Sequence, residues 1–165
     1  MGDVLYQVTV DDRQVQAALD RLIAAGQHPR EVMKDIATYG ENSTRDRFKT
    51  GTDPDGNAWK PSHRVMDKGG KTLIDSSRLL GSITSQSGDD FAEWGSNAIY
   101  AAIHQAGGEI RPKTAKGLFF KLADGTARRV KKVTIPARPY LGINADDEAN
   151  IVDIVNQHLQ EAITG

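Results

Sequence analysis

Changes in the spacing of hydrophobic residues predict a strand and two helices in the first third of the chain. Apolar and polar residues alternate over residues 4–10, as expected for a half-buried strand. Apolar residues then recur at helical spacing until Gly26, and again from Pro29 to Thr50. Gly40 lies inside the second helix, where a glycine costs about 1 kcal/mol, so we expect a close helix crossing or an irregularity there.

Shorter segments follow in the middle of the chain. The residues Gly51–Lys71 are polar and rich in turn formers, so they predict a loop that Trp59 anchors to the body. Beyond this loop we expect, in order, a short helix over 73–83, a polar turn over 82–88, a short strand over 91–94 and a short helix over 97–105.

The last third of the chain predicts a hairpin and a final helix. The pair Asp124-Gly125 lies between two β-prone runs, 118–122 and 128–135, which is a good short-range hairpin signal. We therefore expect a protruding arm at about 108–135. Apolar residues over 145–163 then repeat at helical spacing, and acidic residues occupy the first turn, where the helix dipole favours negative charge.

The order of these elements predicts an α+β fold. Strands and helices do not alternate as they would in a parallel α/β sheet. We expect a single domain over residues 1–165, since the length suits one domain better than two. It would contain a small mixed sheet with N-terminal helices, a long basic β-hairpin and a C-terminal amphipathic helix.

Composition narrows the class of protein. The 165 residues include 21 Lys or Arg and 22 Asp or Glu, a net charge of −1. This balance excludes a globally basic nucleic-acid binder but leaves a local basic patch open. The absence of cysteine excludes disulfides, thiolate metal sites and a cysteine nucleophile. With no secretory signal, and no apolar run near the ~20 residues that span a bilayer, we expect a soluble protein without membrane contact.

No segment has the spacing of a catalytic or ligand-binding motif. The segment Gly69–Thr72 resembles the end of a phosphate-binding loop, but its leading glycine is missing. The segment Asp53–Asn57 resembles a calcium loop, but the sixth and twelfth positions are Ala58 and Arg64, so a turn with Asx-type hydrogen bonds is expected. The four histidines never pair at helical spacing, which favours structural roles. We therefore expect no enzyme, no catalytic residue, no metal and no cofactor.

A basic stretch is the most distinctive feature of the sequence. From Arg111 to Arg138 there are nine Lys or Arg and one acid, whereas from Asp146 to the end there are five acids and no Lys or Arg. Three interpretations stay open: contact with nucleic-acid phosphates, a solvated hairpin surface, or contact with the acid-rich C-terminal region of a neighbouring copy. The candidate residues for protein or DNA contact are Arg111, Lys113, Lys116, Arg128, Arg129, Lys131, Lys132 and Arg138.

Between Arg47 and the end of the chain lie five short segments whose residues and order resemble those of a known family. They are Arg47-Phe48, Asp53-Pro54-Asp55-Gly56 with Trp59, Asp75-Ser76-Ser77-Arg78-Leu79 with Ser82-Ile83, Tyr100–Gly108 and Ile135–Ile143. As a set they resemble the phage virion morphogenesis, or tail completion, family of Mu-like tailed phages. The chain departs from the family pattern at Ser77, where a glycine often stands, at Ala106, where an aromatic residue is common, and at Tyr140, where phenylalanine is common.

This resemblance implies a structural role. Proteins of this family are similar to small α+β subunits that assemble as a ring, often sixfold, at the head-proximal end of the tail, and that help to join the tail to the DNA-filled head. The implied partners are other copies of the chain, the phage tail terminator, and head-completion or connector proteins. The implied location is the virion neck, with the host cytoplasm as the place of assembly. A capsid assembly factor and a DNA-contacting protein that lines the channel are the alternatives.

The string Ile135–Ile143 also has a physical interpretation. Pro136 and Pro139 fix two backbone φ angles and remove two donors, so the segment is expected to be a rigid extended turn between the hairpin and the last helix. Arg138, held between them, is placed to hydrogen-bond carbonyls or a carboxylate. The large aromatic residues Trp59, Trp94 and Tyr100 are expected in the core or at its rim, and an exposed one is a candidate for an interface.

Overall fold

The computed structural model describes residues 13–24, 29–114, 116–121 and 125–164, in which six helices and six strands lie. The helices are α1 (Arg13–Ala24), α2 (Arg30–Thr50), α3 (His63–Lys68), α4 (Arg78–Gly81), α5 (Ala101–Ala106) and α6 (Ala145–Thr164). The strands are β1 (Ile83–Ser87), β2 (Ala92–Ser96), β3 (Gly108–Ile110), β4 (Leu118–Lys121), β5 (Ala127–Val130) and β6 (Val133–Ile135).

The arrangement of these elements confirms the α+β class. The strands form three two-stranded antiparallel sheets, β1 with β2, β3 with β6, and β4 with β5. We expected one small mixed sheet, whereas the described residues form three separate two-stranded sheets. The predicted strand over residues 4–10 lies outside the described residues.

One hydrophobic core lies between α1, α2 and α6. Its buried members lie on three helices that the sequence predicted, and they are Ala18, Leu22, Val32, Ile36, Ile151 and Val155. Complete burial of a Leu, Ile or Val side chain contributes about 1.5–3 kcal/mol. The cluster therefore holds the last helix of the chain firmly against the first two.

The second helix has the predicted length. It ends at Thr50 because Gly51 adopts a left-handed conformation with φ 74° and donates its N–H to the carbonyl of Arg47. Gly40 is buried, and a Cβ at this position would overlap the indole ring of Trp94 on β2. The close approach that the glycine indicated is therefore made by an aromatic ring of a strand, and not by another helix.

A second core surrounds Phe48 at the end of α2. The ring of Phe48 is 5.5 Å from that of Trp59, edge to face, and 5.2 Å from that of Tyr140. The predicted anchor role of Trp59 is confirmed, because this residue is buried and its Nε1 donates to the carbonyl of Pro139 at 2.8 Å. This core also takes in Leu79 and Ile83 and joins the long loop to the proline-rich segment.

Two short elements differ from the sequence prediction. The polar turn expected over 82–88 is wrong, because Ile83–Ser87 forms β1. This strand has one buried apolar residue, Ile83, and its other side chains are Thr, Ser and Gln, so it lacks an apolar alternation. The helix expected over 73–83 is reduced to α4, and the predicted loop contains α3, whose first turn is capped by the Ser62 hydroxyl accepting from the N–H of Val65.

Candidate interaction surface

The segment 108–135, called the arm below, consists of two successive antiparallel pairs. The pair β3–β6 joins the arm to the body, with Gly108 opposite Ile135. The pair β4–β5 follows, with Leu118 opposite Val130. The predicted second run, 128–135, is thus divided, because its first part pairs with β4 and its last part with β3. At the turn between β4 and β5, Gly125 has φ 85°, while Asp124 lies outside the described residues.

Five basic residues of the arm have no ion pair among the described residues. They are all exposed, and they are Lys113, Lys116, Arg128, Arg129 and Lys131. The stem of Arg129 packs over Gly117, where a Cβ would come within 2.9 Å of its Cγ. Directly opposite Arg129 in the strand register is Phe119, a residue that is 65% exposed. The far part of the arm therefore presents cations around one exposed aromatic ring.

Two of the candidate contact residues form ion pairs within the chain. Arg111 and Lys132 both contact Glu109, at 2.8 Å and 2.6 Å. Hydrogen bonds from Lys132 and then Arg111 lower the pKa of Glu109 below its ordinary value. Glu109 lies two residues before the basic stretch that begins at Arg111. Because this carboxylate pairs with two of the basic residues, the stretch has less free positive charge near the body than its composition indicates.

The prediction that Arg138 contacts protein or DNA at the surface is wrong, because this residue is buried. Only 5% of the residue is exposed, and its Nε donates to the carbonyl of Lys60 at 2.7 Å while Nη2 reaches that of Pro61 at 3.4 Å. Burial lowers the pKa of its guanidinium. The expectation that the proline-flanked arginine bonds carbonyls is confirmed, so Arg138 fastens the root of the arm to the long loop.

The N-terminus of α6 is built by a reciprocal cap. Asn144 Oδ1 accepts the N–H of Asp147 at 2.8 Å, and Asp147 Oδ2 accepts the N–H of Asn144 at 3.1 Å. The Nδ2 of Asn144 also donates to the carbonyl of Pro54 at 2.8 Å. The cap therefore fixes the start of the helix and ties it to the loop around Pro54.

Asp147 and Arg47 form a buried ion pair beneath this cap. Both side chains are 8% exposed, and Arg47 also donates Nη1 to the carbonyls of Tyr140 at 3.0 Å and Gly142 at 2.8 Å. The other oxygen of Asp147 accepts from the hydroxyls of Tyr39 at 2.9 Å and Ser43 at 2.6 Å. Asp147 is thus a structural residue and does not contribute to a surface charge.

Four exposed or half-buried carboxylates remain around the cap, and we call them the acidic corner: Asp53, Asp55, Asp146 and Glu148. The hydrogen bond from Asn144 to Pro54 brings the loop carboxylates next to the first turn of α6. Within the described part of the chain, none of the four forms an ion pair with Lys or Arg. The corner thus carries negative charge that the described residues leave unneutralised.

The loop of the acidic corner is a turn, as the sequence predicted. Asp53 accepts the N–H of Asn57 at 2.8 Å through Oδ1 and its Nδ2 at 3.1 Å through Oδ2, an Asx-type arrangement. The segment Gly69–Thr72 is likewise a turn within the chain. The side chain of Arg64 donates to the carbonyls of Lys71 and Ile74 there. Among the described residues, no group of three or more His, Asp or Glu is placed to hold a metal ion.

Two histidines take positions within the body. His158 Nε2 lies 2.7 Å from Asp35 Oδ2, which joins α6 to α2. His104 is half-buried on α5, and its Nδ1 has no hydrogen-bond partner in the described structure. Burial and then the charge of Arg138 lower the pKa of His104.

No described helix is long and apolar enough to cross a membrane.

Of the three aromatic residues Trp59, Trp94 and Tyr100, only Tyr100 is exposed. Trp59 is buried and Trp94 is half-buried over Gly40, whereas Tyr100 is 38% exposed and meets the ring of His104 edge to face at 6.0 Å. Because an exposed aromatic side chain is a candidate for an interface, Tyr100 is the candidate of the three.

The chain is similar to known proteins along nearly all of its length. The model of the phage virion morphogenesis family matches residues 10–160. The chain is 34% identical over 157 residues to "Mu-like prophage FluMu G protein 2" of Haemophilus influenzae, which covers 94% of this chain and 97% of the relative. It is 31% identical over 169 residues to "Putative capsid assembly protein G" of Escherichia phage Mu, which covers 94% and 95%. No solved structure matches it significantly.

Proposed function

Because the chain belongs to the phage virion morphogenesis family, we propose that it is a structural subunit of the phage neck. Copies of the chain form a ring at the head-proximal end of the tail and help to join the tail to the DNA-filled head. The other partners are the tail terminator and the head-completion or connector proteins. Membership in the family supports a structural or assembly role, and these matches indicate no catalytic activity.

The observation that carries the proposal is the pair of unneutralised charged surfaces on one small chain. The arm has five exposed cations without an ion pair in the described structure, and the acidic corner has four exposed or half-buried carboxylates without one. Complementary charge on protein surfaces favours encounter with the correct partner and disfavours wrong ones. A subunit that joins several proteins needs such surfaces more than it needs a pocket.

A phage from which this gene is deleted tests the neck role. We expect full heads and intact tails to accumulate separately, as seen by electron microscopy of lysates, and a plasmid copy of the gene to restore joined particles. A lysate that contains tails but no heads would instead support a capsid assembly factor, which is the role given in the name of the phage Mu relative. Joined, infective particles in the deletion strain would contradict both roles.

The arm also favours a second candidate function, a contact with packaged DNA. Exposed Lys and Arg provide affinity for any duplex, and this affinity falls steeply with salt concentration. The measurement is duplex binding by the wild-type chain and by a variant with Arg128, Arg129 and Lys131 changed to Gln. Loss of binding and a shallower salt dependence in the variant would support the DNA contact, whereas equal binding would remove this function for the arm.

A further inference from the structure

We propose that the arm of one copy docks on the acidic corner of the next copy, a contact that specifies the self-assembly in the proposed function and rests on it. The arm contributes Arg128, Arg129 and Phe119, and the corner contributes carboxylates of which Asp55 and Asp146 are the most exposed. The two surfaces differ, so the contact is head to tail. Such contacts repeat from copy to copy and close into a ring when the rotation permits.

The arm is suited to a protein partner by its chemistry. An arginine guanidinium binds a carboxylate through two parallel hydrogen bonds, a geometry that Lys does not offer. Arg129 is restrained by its packing over Gly117, so less of its freedom is lost on binding. The exposed ring of Phe119 lies opposite Arg129. An aromatic residue surrounded by Arg is the composition found at the centre of protein interfaces.

The corner is suited to receive the arm because its carboxylates are held in place. Asp53 is fixed by two hydrogen bonds from Asn57, and Asp146 lies in the first turn of a helix that Asn144 caps. The buried pair of Arg47 and Asp147 lies directly beneath. A preformed surface loses little conformational freedom on binding. The described structure gives neither surface a partner of opposite charge within its own chain.

A charge exchange between two variants tests the contact. The arm variant carries Arg128→Glu and Arg129→Glu, and the corner variant carries Asp55→Lys and Asp146→Lys. We expect each variant alone to self-associate at least about tenfold more weakly than the wild type, because opposed charges become like charges. An equimolar mixture should recover association, since each arm then meets a corner of opposite charge. Sedimentation of the purified chains measures this, and circular dichroism checks that each variant folds.

Matched controls separate this contact from general charge effects. The pair Lys60→Glu and Lys68→Glu makes the same change in net charge as the arm variant, on exposed side chains of the long loop, and it should leave association unchanged. Failure of the mixture to recover, or equal loss in this control, would overturn the contact. So would wild-type chains that remain monomeric at their highest soluble concentration.

Cross-linking gives a second measurement that does not depend on charge. The chain has no cysteine, so a cysteine placed at Ala127 on the arm and another at Ala58 beside the corner are the only thiols in a mixture of two singly substituted chains. A short bismaleimide should join these two chains, whereas a cysteine at exposed Ala24 in place of Ala58 should not react with the arm. Equal yields from Ala58 and Ala24 would contradict the proposal.

The outcomes also separate this contact from the proposed function. If the arm variant self-associates normally but loses duplex binding, the arm is a DNA surface and the contact is wrong. If the deletion phage shows unjoined heads and tails while both charge variants restore infectivity, the neck role stands and the contact is wrong. If the charge exchange succeeds while the deletion phage assembles normally, the contact stands and the neck role is wrong.

Discussion

Replacing Asp147 with asparagine removes one charge of the buried pair while it keeps the shape of the side chain. The carboxylate of Asp147 accepts from the hydroxyls of Tyr39 and Ser43, the guanidinium of Arg47 and the N–H of Asn144. Asparagine has one acceptor oxygen, so its amide nitrogen would face two of these donors. In either orientation of the amide, the guanidinium would lose its carboxylate partner and keep only neutral ones.

The size of the effect follows from these contacts. Removing one partner of a buried ion pair costs about 3–5 kcal/mol, because the remaining charge stays buried without compensation. We expect Asp147→Asn to lower the free energy of unfolding by this amount. In a chain of this length 1 kcal/mol shifts the melting temperature by roughly 2–4 °C, so the variant should melt about 10 °C lower.

Urea and thermal unfolding followed by circular dichroism measure this loss. The matched control is Asp146→Asn in the same helical turn, where the side chain is exposed and only its interaction with the helix dipole is lost. We expect the control to cost at most about 1 kcal/mol. Equal losses in the two variants would refute the conclusion that the pair of Asp147 and Arg47 secures α6.

Three further predictions concern single positions. Gly40→Ala should destabilise the fold by about 1–3 kcal/mol in urea unfolding, because the methyl group displaces the ring of Trp94. Ser77→Gly should raise the free energy of unfolding by about 0.5–1 kcal/mol, because Ser77 has φ 58° in the left-handed region. The pKa of His104 is lower in the folded chain than in the unfolded chain, so as the pH falls the unfolded chain takes up this proton before the folded chain does. The free energy of unfolding should therefore decrease below pH 6.5, and His104→Asn should reduce this decrease.

Each of these three predictions has a position that serves as its control. Gly81→Ala adds the same methyl group to α4, where nothing lies within 4 Å, so it should not destabilise the chain. Ser76→Gly changes a serine without a positive φ, so it should give no gain. His158→Asn removes the contact with Asp35 but not the buried imidazole, so it should leave the loss of stability below pH 6.5 in place. If a control variant behaves like the variant it is paired with, the physical reason given for that prediction is wrong.

The long helices were predictable because their signal is local. The stripes of α2 and α6, and the end of α2 at Gly51, follow from spacing and from one glycine. The strand β1 was missed because its sequence carries almost no apolar alternation. It is held by pairing with β2 and by the carbonyl of Ile83, which accepts from Nη2 of Arg45 on α2. A contact between residues 38 positions apart leaves no pattern in a single sequence.

The charged surfaces were predictable in part. The basic character of the arm follows from composition, but the burial of Arg138 depends on the carbonyls of Lys60 and Pro61, far away in the chain. In the same way, Asp147 looks like an ordinary first-turn acid until Arg47 is placed beneath it. The acidic corner combines a loop and a helix that are separated by about 90 residues, so composition alone assigned the negative charge to the C-terminal helix.

The root of the arm has a consequence for protein engineering. Gly107 and Ala137 lie so close that a Cβ on the glycine would come within 2.6 Å of the alanine nitrogen, and the N–H of Arg138 donates to the carbonyl of His104 at 2.8 Å. The chain thus departs from and rejoins the body at one spot. Since loop-closure entropy grows only slowly with length, foreign peptides grafted between these two residues should leave the body folded. The same property would let the arm vary in length without a change in the two hydrophobic cores of the body.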